Sequence, residues 1–272
     1  MSGQDGAKPR RVRLHHILSA KEDGRRLSML TAYDAVTAPL FEAAGVDMLL
    51  VGDSLGNVVL GYPGTLNVTV EDMVSATAAV ARSTSRAFIV ADLPFGSYQA
   101  SDERGFDTAA QLIRAGAHAV KLEGGAECAG LVRLLTRGGI PVMGHLGYTP
   151  QSEHALGGPR LQGRDDAGRT LISDAAALAD AGAFALVLEM VPASVAKSVT
   201  DELAIPTIGI GAGPHCDGQV LVWTDMAGMT DWVPSFARRF GNVGKELKQA
   251  ASNYVEAVAD GSFPGPENTR ER

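Results

Sequence analysis

Four apolar runs in this chain each stop on an acid. Met48-Leu-Leu-Val-Gly runs into Asp53, Phe88-Ile-Val-Ala into Asp92, Ala119-Val-Lys-Leu into Glu123, and Phe184-Ala-Leu-Val-Leu into Glu189. Short apolar runs closed by glycine and polar residues read as buried parallel strands. If such strands share one barrel or sheet, their carboxyl ends meet on one face, and that face collects four carboxylates. A cluster of that kind calls for a cation or a proton transfer. Asp53, Asp92 and Glu123 follow three successive strands and are hard oxygen donors of the type that suits Mg2+ with a bidentate substrate at its open positions. Separate ion pairs or helix caps for each acid are the alternative.

Lys121 precedes Glu123 by two residues, so strand alternation puts both side chains on one face. There its ammonium would hold a substrate carboxylate, or pair with Glu123. Ser54 follows Asp53, where a hydroxyl or N–H can hold an anionic oxygen. His145, in Gly144-His-Leu-Gly147, would hydrogen-bond a developing enolate oxygen, orient a metal ligand, or serve as a buried structural histidine. Glu189 sits on an apolar strand, where burial would raise its carboxyl toward the range of a useful general base. A fourth metal ligand or a structural ion pair is the other reading. Glycines in Gly209-Ile-Gly-Ala-Gly213 would allow a ligand such as phosphate to approach closely.

The elements that must position these residues alternate along the chain. Eight strand-like runs span roughly 28–32, 48–52, 87–91, 119–122, 140–144, 184–188, 206–210 and 219–223. Helical spacing fills most of the gaps, over 35–44, 73–82, 106–115, 167–181 and 193–202, with a capping-box-like start at Thr69-Val-Glu-Asp72. Gly45, Gly116 and Gly182 each stand just past a helix end. Eight strands with interposed helices predict an α/β fold, a (β/α)8 TIM barrel forming a single domain. A doubly wound open sheet competes, but the early glycine fingerprint it often carries is absent. The barrel is expected over 23–260, with a flexible or docking N-terminal segment over 1–22 and a C-terminal tail over 261–272. Two loops interrupt the alternation, Gly56–Asn67 after the second strand and the long, polar Gly147–Asp166 after the fifth. Both fall at the end of a barrel where catalysis occurs, and the second has the length of a lid. Residues 235–260 read as one or two amphipathic helices.

Composition narrows the classes. The 272 residues, 45% of them hydrophobic, suffice for one large core. A net charge of −7 and the lack of any recognition motif argue against a nucleic-acid partner. The two cysteines, Cys128 and Cys216, lie in no CxxC pair or His/Cys cluster, which argues against zinc and for free thiols in a reduced compartment. No run reaches membrane-spanning length and the first residues lack a signal peptide's apolar stretch, so a cytoplasmic protein with no membrane partner is expected.

At these residues the chain resembles the ketopantoate hydroxymethyltransferase family. The likeness runs through Thr31-Ala-Tyr-Asp34, Leu50-Val-Gly-Asp-Ser-Leu-Gly56, Ala91-Asp-Leu-Pro-Phe95 and Val120-Lys-Leu-Glu-Gly-Gly125. It continues through Gly144-His-Leu-Gly-Tyr-Thr-Pro-Gln-Ser152, Leu188-Glu-Met-Val-Pro192, Ile208-Gly-Ile-Gly-Ala-Gly213 and Asp217-Gly-Gln-Val-Leu221. Tyr148 stands where the family usually has Leu, and Pro159 where an aromatic is common. The resemblance implies transfer of a hydroxymethyl group from 5,10-methylenetetrahydrofolate to 3-methyl-2-oxobutanoate, giving 2-dehydropantoate for pantothenate synthesis. It implies Mg2+ at Asp53, Asp92 and Glu123, and the oxo acid at Asp53, Ser54, Asp92 and Lys121. Glu189 matches the proton acceptor that forms a Mg-stabilised enolate, with His145 as a second catalytic group. It also implies a homodecamer, a pentamer of dimers.

Two other readings compete. A barrel C–C lyase or phosphonomutase related to isocitrate lyase would use the same metal on a 2-oxo acid, but the Lys-Lys-Cys-Gly-His loop such enzymes usually carry is absent here. A non-enzymatic barrel scaffold would have no use for Lys121, Glu123 and Glu189 beside one metal site.

Overall fold

The computed structural model describes residues 10–270. Residues 1–9 of the expected N-terminal segment and 271–272 of the expected tail lie outside the described residues. Eight parallel strands, β1 Leu27–Thr31, β2 Met48–Val51, β3 Phe88–Asp92, β4 Ala119–Glu123, β5 Val142–Gly147, β6 Ala185–Glu189, β7 Thr207–Ile210 and β8 Gly218–Leu221, close into one barrel in sequence order, with β8 pairing β1. They are the eight predicted runs, with ends moved by a few residues. Helices follow the strands, among them Val70–Ser83, Asp102–Ala115, Ala129–Arg137, Asp166–Asp180 and Ala193–Glu202. Thr69 caps the first of these. Its Oγ1 accepts from Asp72 N–H at 3.1 Å, and Asp72 returns the bond to Thr69 N–H at 3.0 Å. Gly45, Gly116 and Gly182 all take positive φ, as their helix-end positions require.

Alternation along each strand builds the interior in layers. Met48, Leu50, Phe88, Val90, Ala119, Met143, Ala185, Val187, Ile208 and Val220 fill the barrel as one buried cluster. Continuing by two along the same strands, Val90 leads to Asp92, Ala119 to Lys121 and then Glu123, Met143 to His145, and Val187 to Glu189. An apolar core is thereby topped by a charged layer at the strands' carboxyl ends.

The opposite end is closed by a helix that sequence spacing did not predict. Residues 14–22, placed in a flexible or docking segment, form the helix Leu14–Glu22. Its Ile17 and Ala20 are fully buried in the core cluster with Leu27, Phe88 and Phe184, residues at or beside strand starts. The Phe88 and Phe184 rings meet edge to face at 5.8 Å.

The chain divides into two compact units, one up to Leu221 and one from Val222, so the boundary falls inside the stretch assigned to the barrel domain. The second unit holds the helices Trp223–Ala227 and Val243–Ala259. Within it Phe240 N–H donates to Met226 O, and Tyr254 packs on Phe263 with ring centroids 5.7 Å apart. Among the described residues no helix is long and apolar enough to cross a membrane.

Candidate active site

The strand-end charges form one connected cluster. Register brings Asp92 beside Lys121, Glu123 beside His145 and Gly147 beside Glu189. Asp53, two residues past β2, donates its N–H to Asp92 Oδ2 at 3.1 Å. Lys121 Nζ lies 2.9 Å from Asp92 Oδ1. His145 stands between two acids, with Nδ1 3.2 Å from Glu123 Oε1 and Nε2 3.3 Å from Glu189 Oε2. Nδ1 is also 3.3 Å from Lys121 Nζ, and one nitrogen cannot both accept from the ammonium and donate to the carboxylate. With a carboxylate near each ring nitrogen the geometry favours the imidazolium, which donates to Glu123 through Nδ1 and faces Glu189 across an unaligned ion pair at Nε2. Asp53, Asp92, Lys121, Glu123 and His145 are all buried. Glu189 is more open, its side chain 17% exposed against 3% for Glu123. Ser54 Oγ lies 2.8 Å from the Tyr33 hydroxyl.

The electrostatics follow from this packing. Burial, then the charges of Asp92 and Glu123, raise Asp53 well above the ordinary carboxylate range, against Lys121 and Gln151. Burial raises Asp92 too, partly offset by Lys121. Burial pushes Glu123 the same way, but His145, Lys121 and the Gln151 N–H outweigh it and hold that carboxyl low. For His145, burial and Lys121 oppose protonation, yet Glu123 and Glu189 lift it to about 9. Burial likewise opposes the Lys121 charge, and the surrounding acids more than restore it.

Four carboxylates (Asp53, Asp92, Glu123, Glu189) thus face two cationic groups (Lys121, His145). Fully ionised, the cluster carries two negative charges in excess, which a divalent cation would neutralise. Asp92 Oδ1 is a buried carboxylate oxygen without an aligned hydrogen-bond donor despite the nearby ammonium. Both observations suit an oxygen-ligated dication such as Mg2+. Among the described residues, however, no group of three or more His, Cys, Asp or Glu side chains is arranged as a ready-made cage. One reason lies in Glu123, whose Oε1 faces His145 and whose Oε2 accepts from Gln151 N–H at 2.9 Å.

Gln151 and Tyr98 belong to this site and escaped the residue-by-residue sequence reading. Gln151 Nε2 donates to Asp53 Oδ2 at 2.8 Å and to Leu93 O at 2.9 Å, and the Tyr98 hydroxyl lies 2.8 Å from Gln151 Oε1. The available signal was Gln151's place in the Tyr148-Thr-Pro-Gln-Ser152 segment of the loop after β5. The glycine-bearing stretch at Gly209–Gly213 turns around the side chain of Gln219, which donates to Gly213 O.

A closed parallel barrel whose strand ends gather four carboxylates, a lysine and an imidazole is the active face of a barrel enzyme. Phosphonopyruvate hydrolase, solved in complex with oxalate and Mg2+, shares the fold with a TM-score of 0.61 at 14% identity, over 94% of this chain and 92% of its own. A 2,3-dimethylmalate lyase of the PEP mutase/isocitrate lyase superfamily matches with a TM-score of 0.60 at 16% identity, over 95% and 92%. At the level of sequence, residues 11–266 match the ketopantoate hydroxymethyltransferase family. The 3-methyl-2-oxobutanoate hydroxymethyltransferase of Leifsonia xyli is 54% identical over 96% of this chain and 95% of its own length. That of Pyrobaculum calidifontis is 53% identical over 96% and 98%. The chain belongs to the ketopantoate hydroxymethyltransferase family.

Proposed function

We propose that this enzyme transfers a hydroxymethyl group from 5,10-methylenetetrahydrofolate to 3-methyl-2-oxobutanoate, giving 2-dehydropantoate for pantothenate synthesis. The observation that carries the reading is the cluster of four carboxylates against two cationic groups at the carboxyl end of an apolar barrel, beside one acid that is more open to solvent. Asp53 and Asp92 would hold Mg2+ directly. Glu123, with both oxygens engaged, would contribute charge rather than a direct bond, and the oxo acid would complete the coordination. When bound, the cation polarises the keto group and acidifies the neighbouring C–H.

The chain's own residues do the rest. Lys121 and Ser54 hold the carboxylate end of the oxo acid, Ser54 being oriented by Tyr33. Glu189 takes the proton from C3, since it is the acid of the cluster with access to a substrate. His145 faces Glu189 through Nε2, and that N–H, which has no aligned acceptor, is the one it can offer toward oxygen charge as it develops. The carbon so activated bonds to the folate methylene as one methylene–nitrogen bond breaks; water then replaces the second nitrogen and supplies the hydroxyl, and the two freed folate nitrogens take up the proton removed from C3 and one from water. The loop Gly147–Asp166 shields the reacting carbon. Assembly as a homodecamer belongs to the same reading. Apolar residues exposed on the helix Val243–Ala259, including Val243, Leu247, Tyr254 and Val258, support it, and light scattering tests it.

The direct test is formation of 2-dehydropantoate with and without methylenetetrahydrofolate and Mg2+. Glu189→Gln is expected to abolish exchange of the C3 hydrogen in D2O while oxo-acid binding survives. Undiminished exchange would remove Glu189 from its role.

A further inference from the structure

We infer that Gln151 is a positioning residue that couples the seating of the loop after β5 to cation affinity at Asp53 and Asp92. The cation half of this inference rests on the function proposed above, and the seating half does not. Gln151 sits in the turn Pro150–Ser152, at the root of the long loop, and is buried. Every hydrogen-bonding position of its amide is used. Nε2 has two acceptors, Asp53 Oδ2 and Leu93 O. Oε1 has two donors, the Tyr98 hydroxyl at 2.8 Å and Gln99 Nε2 at 3.0 Å.

The amide cannot be turned over, because a flip would point its carbonyl at a carboxylate and a peptide oxygen. The Tyr98 hydroxyl accepts from Glu123 N–H at 3.0 Å, and its own proton has Gln151 Oε1 at 2.8 Å as the nearer acceptor and Glu123 O at 3.0 Å as the other. The backbone of Gln151 meanwhile donates to Glu123 Oε2. One residue of the loop thus holds acids from two different strands, and Asp53 in turn holds Asp92 through its N–H.

Both ends of the loop are tied by backbone bonds at the end of β6. Tyr148 N–H donates to Glu189 O, and Gln162 N–H to Met190 O, both at 2.8 Å. Residues 153–161 lie between these ties, and most of them are exposed. Gln151 is therefore the member of the loop whose side chain reaches Asp53. Outer groups that orient ligating carboxylates typically change metal affinity 10- to 100-fold. Coupling is reciprocal, so a cation that fixes Asp53 must also favour the seated loop.

The test uses the full chain and two readouts, Mn2+ affinity by electron paramagnetic resonance without substrate and amide hydrogen exchange over residues 152–161. Gln151→Met keeps the length and the backbone tie but removes all four amide bonds. It is expected to speed exchange in the loop without metal, to weaken Mn2+ binding about 10- to 100-fold, and to abolish the slowing of loop exchange that Mn2+ produces in the unsubstituted protein. Unchanged metal-free exchange in Gln151→Met would overturn the seating role. Unchanged Mn2+ affinity would overturn the coupling. Failure of the unsubstituted protein to bind Mn2+ would instead sink the proposed function, and the metal-free exchange still decides the seating role. If Gln151→Met does not fold, Tyr98→Phe, which removes one donor to Oε1, is expected to shift both readouts the same way by a smaller factor.

Discussion

Lys121→Met would remove the one lysine from a buried acidic cluster while keeping the length of the side chain. Lys121 Nζ is 2.9 Å from Asp92 Oδ1, and the two side chains are 5% and 3% exposed. At that distance and an effective dielectric of about 20, the direct attraction is about 6 kcal/mol, of which desolvation of the two ions cancels a part. Removing one partner of such a pair typically costs about 3–5 kcal/mol, because the other charge is left buried and unpaired. Here the cost belongs at the upper end, since Asp53 and Glu123 also lose the ammonium that offsets their mutual repulsion. For a chain of this size about 5 kcal/mol corresponds to a fall of about 10 °C in the midpoint of thermal unfolding. Calorimetry or near-UV circular dichroism without metal measures it. Asp92→Asn placed on top of Lys121→Met should return about 2 kcal/mol, because it takes away the stranded charge. The reasoning fails if Lys121→Met melts within about 2 °C of the parent, or if the two substitutions add without coupling.

Three further outcomes are expected. Gly147 has φ +97°, and a Cβ there would lie 2.1 Å from Glu189 O, so Gly147→Ala should displace the end of β6 and cut C3–H exchange about 100-fold, measured by NMR in D2O. Burial and Arg11 lower His118 to about 4, and its Nδ1 accepts from Ile89 N–H at 2.9 Å. Its folded value lies below the unfolded one near 6.5, so the unfolded chain binds the extra proton and stability is lost as pH falls from about 6.5 to 4. Allowing for partial exposure, His118→Gln should flatten that dependence by about 2 kcal/mol in urea unfolding across the same window. Thr69→Ala, which removes the cap of the helix Val70–Ser83, should cost about 1 kcal/mol in the same assay with no change in oxo-acid binding.

The eight strands were legible because parallel strands buried on both faces are continuous apolar runs, and in this chain the acids that end them mark the catalytic end as well. Lys121 and Glu123 could be placed on one face by alternation. What escaped the sequence has physical reasons. The helix Leu14–Glu22 is short, carries two histidines, and has Arg13 at its N-cap, so neither a capping residue nor a broad apolar stripe announces it. Gln151 and Tyr98 lie in irregular segments with no periodicity, and their value comes from partners 25 to 98 positions away in sequence. That both oxygens of Glu123 are already engaged depends on side-chain direction, which spacing does not encode.

The assigned chemistry occupies a contiguous sector of the barrel, from Asp53 beyond β2 to Glu189 on β6. None of the assigned residues lies on β7, β8 or β1. On the proposed roles, five staves are constrained by both packing and reactivity and three by packing, with Tyr33 beyond β1 held to Ser54 as well. In a saturation library, substitutions in those three strands should affect yield of folded protein far more than turnover per folded molecule. The same three strands are the natural place to engineer a wider or differently shaped wall for a bulkier acceptor acid, since the reacting groups would keep their own supports.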